Sequence, residues 1–247
     1  MINAWRRHVL ALPSAPFWGS EKLLKAWKTP VFFAHSPVVF PQPDTWPAWF
    51  HTSGYLFLNH APDWSPPSDL VEFLAAGPPP VLMGFSSMSN RKVKNLTDVL
   101  LKALSQTGQR GIILGGWSEI GHAQQNTADI FAIDAIPYDW LFPQVAAVVH
   151  HGGAGSTAVG FSAGIPQVII PFAVDQPFWA WRVSELGVGP EPLSPDTLTA
   201  ERLAHAITSA VQDTAIRQRA AKLGEQIRAE NGVGNAVALF ENYFHRK

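Results

Sequence analysis

Residues 150–179 concentrate the side chains of this sequence that could do chemistry. The stretch opens as His-His-Gly-Gly-Ala-Gly-Ser-Thr at 150–157 and reaches Pro-Phe-Ala-Val-Asp-Gln-Pro at 171–177. Glycines at 152, 153 and 155 let backbone amides approach a bound group closely. Ser156 and Thr157 stand where a helix would begin, and the free amides and dipole of that terminus favour an anion. His151, just before the turn, can donate to a phosphate oxygen. Ser87, in the Gly-Phe-Ser-Ser-Met of 84–88, can add a hydroxyl from the opposite side. Together these groups describe a cradle for a diphosphate. Asp175 and Gln176 offer the mixture of acceptors and donors that sugar hydroxyls need. Asp175 also suits the N-cap of a helix with Pro177 in its first turn, and that cap is its leading expected role.

Simpler readings bear on the same residues. A glycine-rich turn between strand and helix also serves tight packing alone. Adjacent histidines on an extended chain point to opposite faces, and no third ligand lies nearby, so His150 and His151 are not expected to hold a metal. There is no Gly-Lys-Ser/Thr, which excludes a nucleoside-triphosphate P-loop. No GxGxxG follows the first strand of the regular region, which argues against a nicotinamide enzyme. There is no cysteine, so disulfides and thiolate sites are excluded. Lys plus Arg is 18 against 19 for Asp plus Glu, a balance that does not favour a nucleic-acid partner. No apolar run approaches the roughly 18 residues of a membrane span. The amino-terminal stretch, broken by Pro13 and Pro16, reads as helix and not as a signal peptide. The expected compartment is the cytoplasm, with peripheral membrane contact as an option.

The elements that must position these residues fall in two parts. Residues 1–77 are dense in tryptophan and proline, with Trp5, Trp18, Trp27, Trp46, Trp49 and Trp64 among them. They predict two short helices before residue 28, strands at 30–37 and 51–58, and a helix at 69–76. Residues 78–247 alternate strand and helix. Apolar runs at 81–87, 110–117, 129–133, 146–150 and 167–172 predict strands buried on both faces. Helices are expected at 91–106, 155–164, 177–186, 197–212, 214–230 and 235–245. Residues 135–142, "AIPYDWLF", are read as a loop. The whole predicts an α/β fold with a doubly wound parallel sheet. Ligands then bind beyond the carboxyl ends of the strands, where the loops at 84–88, 115–119, 135–142 and 150–157 converge.

The combination His-Gly-Gly-Ala-Gly-Ser-Thr followed by Pro-Phe-x-x-Asp-Gln-Pro resembles the carboxyl-terminal domain of UDP-sugar-dependent transferases of the GT-B fold. The glycosyltransferase 1 family is the match, in its sterol 3-beta-glucosyltransferase-like branch. "GYLF", "FLAAGPPPV" and "GFSSM" agree in order, and the resemblance covers about residues 30–230. It implies that 78–247 form a Rossmann-like nucleotide-sugar-binding domain. It also implies that 1–77 belong to an amino-terminal domain plus linker. His151, Gly153, Gly155, Ser156 and Thr157 would surround the donor diphosphate, with Ser87 touching a phosphate. Ile136 would offer backbone groups to uracil, with Pro137 shaping the pocket and Trp117 as an aromatic wall. Asp175 and Gln176 would bind the donor sugar. No metal or other cofactor is implied, since the cradle itself would stabilise the departing UDP.

Three departures qualify the resemblance. Ser86 stands where the family usually has glycine. Val159 stands where the plant branch places an acidic ribose ligand, which leaves the ribose contact unassigned. The family's catalytic histidine and its carboxylate partner lie in an amino-terminal region to which nothing here corresponds. The expectation is therefore hexosyl transfer, glucosyl by resemblance, to a hydroxyl of a lipid-like or sterol-like acceptor, with this chain as the donor-binding half. The alternative is a nucleotide-sugar-binding module or split subunit without turnover. A complementary amino-terminal domain or self-association would complete it. Should the base lie within these 247 residues, His35 and His51 are the first candidates.

Overall fold

Five short apolar runs pair into one parallel sheet. The computed structural model describes residues 2–15, 25, 28–85, 96–115 and 126–245. Strands β3 (Val81–Gly84), β4 (Gly111–Leu114), β5 (Ile130–Ile133), β6 (Ala147–His150) and β7 (Gln167–Ile169) lie in the order β5-β4-β3-β6-β7. Every pairing is parallel. The chain steps outward from β3 to β4 and β5, then returns to place β6 on the other side of β3. The switch point therefore falls between β3 and β6.

Alternate strand residues feed two cores, as the two-residue period requires. Val81, Met83, Ile113, Val149 and Val168 face one apolar cluster with α3 (Leu96–Thr107) and α7 (Ala200–Gln212). Leu82, Ile112, Leu114 and Val148 face another, with α2 (Ser68–Ala75), the one-turn helix α4 (Tyr138–Leu141) and Phe142 of the following 3-10 turn. Helices α5 (Ala154–Ala163) and α8 (Thr214–Arg228) pack together, and α6 (Gln176–Glu185) follows β7. The expected α/β fold with a doubly wound parallel sheet is what forms.

By compactness the chain divides into Tyr55–Glu230 and a second unit of Met1–Gly54 with Asn231–Lys247, whereas the sequence pattern changes at 77/78. Residues 55–77 join the sheet unit because Leu70 and Phe73 of α2 are part of its core. Arg110 strengthens that tie: its guanidinium lies over the Phe73 ring and donates to the carbonyls of Phe73 and Pro78. In the second unit, β1 (Val31–Phe33) pairs in parallel with β2 (Phe50–Thr52). The strand expected over 51–58 is thus confined to its first residues. Phe33, Trp46 and Phe50 pack ring on ring. α1 (Ile2–His8) and α9 (Gly232–His245) belong to this unit, and Asn235 of α9 donates to the Ser53 carbonyl at 3.0 Å.

Candidate functional site

The switch point puts the end of β6 beside the end of β3, with Gly84 opposite His150. His150 is wholly buried, and its Nε2 lies 2.9 Å from Gln167 Oε1 on β7. The Gly152 amide donates to its Nδ1 at 3.2 Å, so the ring proton must sit on Nε2. Burial pushes its pKa down to about 3, with the Gln167 bond opposing and His151 reinforcing the shift. His150 is therefore a neutral bolt between β6 and β7. Gln167 extends the bolt by donating to the Thr157 carbonyl at 3.2 Å.

His151 turns the other way, onto the glycine turn. A Cβ on Gly153 would lie 2.6 Å from its Nε2, so only glycine leaves room for the ring there. The His151 Nδ1 is buried with no hydrogen-bond partner. Burial holds the His151 pKa below its usual value, and the Asp175 carboxylate partly offsets that. Gly153 is the N-cap of α5 and carries no side chain to satisfy the first-turn amides. The amides of Ala154, Gly155 and Ser156 precede the first intrahelical bond, Thr157 N to Gly153 O, so they are the orphan donors of a helix start. Thr157 does not face this terminus. It is fully buried, and its hydroxyl donates to the Gly153 carbonyl at 2.9 Å, bracing the turn from within.

The loop from β7 to α6 supplies Asp175 and Gln176. Gln176 is buried, and its Oε1 accepts from the amides of Phe172 at 2.7 Å and Ala173 at 3.1 Å. Its oxygen is committed to the loop, which leaves the amino end as the part that can meet a ligand. Gln176→Ala should strip an acceptor from two amides, costing about 1–3 kcal/mol for each that stays buried. At about 2–4 °C per kcal/mol for a chain of this size, the melting temperature should fall by several degrees. Gln176→Glu keeps an oxygen in place and should fall less. An alanine variant as stable as the parent would rule out the clamp. Asp175 occupies the N-cap position of α6 without capping it, against the sequence expectation. Its Oδ2 accepts instead from the Trp179 indole at 2.9 Å.

A third group comes from the end of β5. Ile136 is buried, and Pro137 is the N-cap of α4. Residues 135–142, read as a loop, contain this helical turn because Pro137 suits a helix start and Tyr138 stacks on Phe142 at 4.8 Å. Tyr138 also hydrogen-bonds the Ser156 side chain, which opposes the upward shift that burial imposes on its phenol. The β5 loop is thereby joined to the start of α5. Tyr138, Gln167 and Trp179 were not among the expected site residues. Only Trp179 had a signal in the sequence: it lies four residues after Asp175, one helical turn away. Ser87 and Trp117 lie outside the described residues.

Among the described residues, no three His, Asp or Glu side chains come together as a metal-binding group. No described helix is long and apolar enough to cross a membrane. Of the other histidines, His35 is partly buried and bonds the Phe40 carbonyl, and His51 stacks on Phe32. His60 has a carboxylate partner: Asp139 accepts from its backbone amide at 2.8 Å and lies 2.7 Å from its Nδ1.

The family described as erythromycin biosynthesis protein CIII-like, C-terminal domain, matches residues 118–238. Over 97% of its length the chain is 39% identical to a sterol 3-beta-glucosyltransferase of Arabidopsis thaliana. Among solved structures, the calicheamicin glycosyltransferase CalG4 matches with TM-score 0.68 at 23% identity, over 91% of this chain and 58% of that one. The chain shares the fold of GT-B glycosyltransferases and resembles a glycosyltransferase in sequence over nearly its whole length. A further GT-B structure, glycosyltransferase VinC in complex with dTDP, matches with TM-score 0.60 at 23% identity, over 81% of this chain and 50% of that one. The chain spans 37% of the length of the Arabidopsis relative. The family match begins before β5 and runs through the glycine turn and the Asp175 loop.

Proposed function

We propose that this chain binds a UDP-sugar, and supplies the donor-binding half of a transferase that passes a hexose, glucose in the first instance, to a hydroxyl of a lipid-like or sterol-like acceptor. The observation that carries the reading is the start of α5. Its uncapped first-turn amides stand beside a buried histidine whose Nδ1 has no partner. A diphosphate satisfies such a group of donors. The relatives support the sugar and acceptor classes: one is a sterol 3-beta-glucosyltransferase, and the VinC structure holds a nucleoside diphosphate.

In the reaction, an acceptor hydroxyl gives up its proton to a general base, and its oxygen bonds to the anomeric carbon as the bond to the diphosphate oxygen breaks, inverting that centre. Negative charge grows on the departing UDP. The α5 amides and His151 are placed to stabilise it by fixed dipoles and a proton, without calling on a cation. Asp175 and the amino end of Gln176 orient the sugar. Calorimetry of UDP and UDP-glucose binding tests the reading. Binding should persist in a chelator and exceed that of NAD, and failure on either count would sink the diphosphate cradle. Acceptor-dependent UDP release by the chain assayed by itself separates a whole transferase from a donor-binding half.

Proton linkage offers a sharper check. Free His151 titrates below its ordinary value of 6.5 because burial disfavours its charge. A bound diphosphate favours that charge and raises the pKa. Between the two values, binding must take up a proton, so UDP-glucose affinity should rise as pH falls through the range around 6.5. UDP-glucose is the right probe, since its diphosphate is a diester with no titration of its own in that window. Binding heats compared in buffers of different ionisation enthalpy should report the uptake, and His151→Ala should abolish it. No buffer dependence in the parent would remove His151 from the diphosphate.

A further inference from the structure

We propose that Trp179 is a positioning residue: its indole N–H holds the Asp175 carboxylate off the first-turn amides of its helix and towards the donor sugar. The inference rests on the donor-binding reading above. The same molecule contains the comparison that motivates it. Asp213 is also an N-cap aspartate, at the start of α8, with φ −69° and ψ 108°. Its Oδ1 folds back to accept from the Ala215 and Ile216 amides at 2.8 and 3.2 Å, as a capping side chain does. Asp175 has φ −91° and ψ −8°, a helical conformation in place of the extended one that capping uses, and makes no capping bond. Its side chain is redirected, and the 2.9 Å bond from Trp179 Nε1 to Oδ2 keeps it there.

Two further observations give the redirection a purpose. Val174, next in the loop, has φ +59° and is 94% exposed. A β-branched residue in the left-handed region is strained, and exposure leaves no burial of its own side chain to offset that. Gln176 clamps the preceding amides of Phe172 and Ala173, so the chain must make this turn to reach Asp175. The carboxylate that results also favours the charged form of His151, on the loop of the proposed diphosphate site. With Oδ2 held by the indole, Oδ1 is the oxygen left to accept from a sugar hydroxyl. The Trp179 ring is itself steadied by the edge of Phe178, with ring centroids 5.0 Å apart.

The test compares UDP-glucose with UDP by calorimetry on the parent chain and on Trp179→Phe, which keeps a ring and removes the N–H. UDP-glucose should weaken about tenfold, the scale of one charge-assisted hydrogen bond, and UDP should stay within about twofold of the parent. A merely structural role would weaken both together. Equal losses, or no loss, overturn the proposal. Should Trp179→Phe melt below the assay temperature, Trp179→Met, which fills the space with a flexible apolar side chain and likewise lacks the N–H, carries the same test and should give the same selective loss. If the parent binds UDP and UDP-glucose equally well, this inference fails while the diphosphate reading stands. If it binds neither, both fall.

Discussion

Gly155→Leu is expected to abolish measurable UDP binding while leaving the melting temperature unchanged or slightly raised. Gly155 is the second residue of α5 and is exposed. A Cβ built there meets no described atom within 4 Å. The fold therefore has no need of glycine at this position, and leucine is the better helix former by several tenths of a kcal/mol. A bound diphosphate does have a need. Its oxygens must come within about 3 Å of the first-turn amides, and a leucine side chain at the second position stands in that approach. Losing two charge-assisted hydrogen bonds costs about 3–6 kcal/mol, more than a hundredfold in affinity. Calorimetry and thermal melting on the same sample read both halves of the expectation. A variant that still binds UDP within about threefold of the parent would show that these amides do not hold the ligand.

Gly152→Ala should do the reverse and strike stability first. Gly152 has φ +83°, in the region that only glycine enters freely. A Cβ there would lie 2.7 Å from Ile169 Cγ2 and 3.3 Å from the Gln176 carbonyl oxygen, so the space is filled as well. The left-handed conformation costs a residue with a Cβ about 1–2 kcal/mol. Forcing a methyl into a packed contact adds about 1–3 kcal/mol. Together they predict a fall in melting temperature of roughly 5–15 °C for a chain of this length. The Gly152 amide also sets the tautomer of His150, so the damage should spread to the β6–β7 bolt. A fall of under about 2 °C would refute the conformational argument. Two glycines three positions apart thus have opposite expected signatures, one in binding and one in stability.

Much of the fold is legible in the sequence because it is written in local period and composition. Runs such as Gly-Ile-Ile-Leu and Ala-Ala-Val-Val are apolar at every position, which only a strand covered on both faces requires. The glycine turn announces itself in the same way, since small residues between a strand and a helix have few other uses. These features depend on neighbours a few residues apart. What they leave open is which strands meet. That the ends of β3 and β6 lie side by side is decided by the crossover back across the sheet, which no local pattern encodes.

The site divides along the same line. The residue types at 150–157 and 175–176 point to a diphosphate and a sugar without any structure. Their directions do not follow from type. Thr157 and Ser156 are adjacent hydroxyls at one helix start, yet Thr157 is turned inward to Gly153 and Ser156 is met by Tyr138. His150 and His151 are adjacent imidazoles, yet one is a buried bolt to Gln167 and the other lies on the glycine turn. Asp175 reads as a cap by every local rule. It is not one, because the Gln176 clamp and the left-handed turn at Val174 give it a backbone angle from which its side chain meets an indole before it meets an amide. Sequence determines which groups are present and how far apart they lie along the chain. Only the packed loop, through contacts that no single residue's preference contains, determines where each group points.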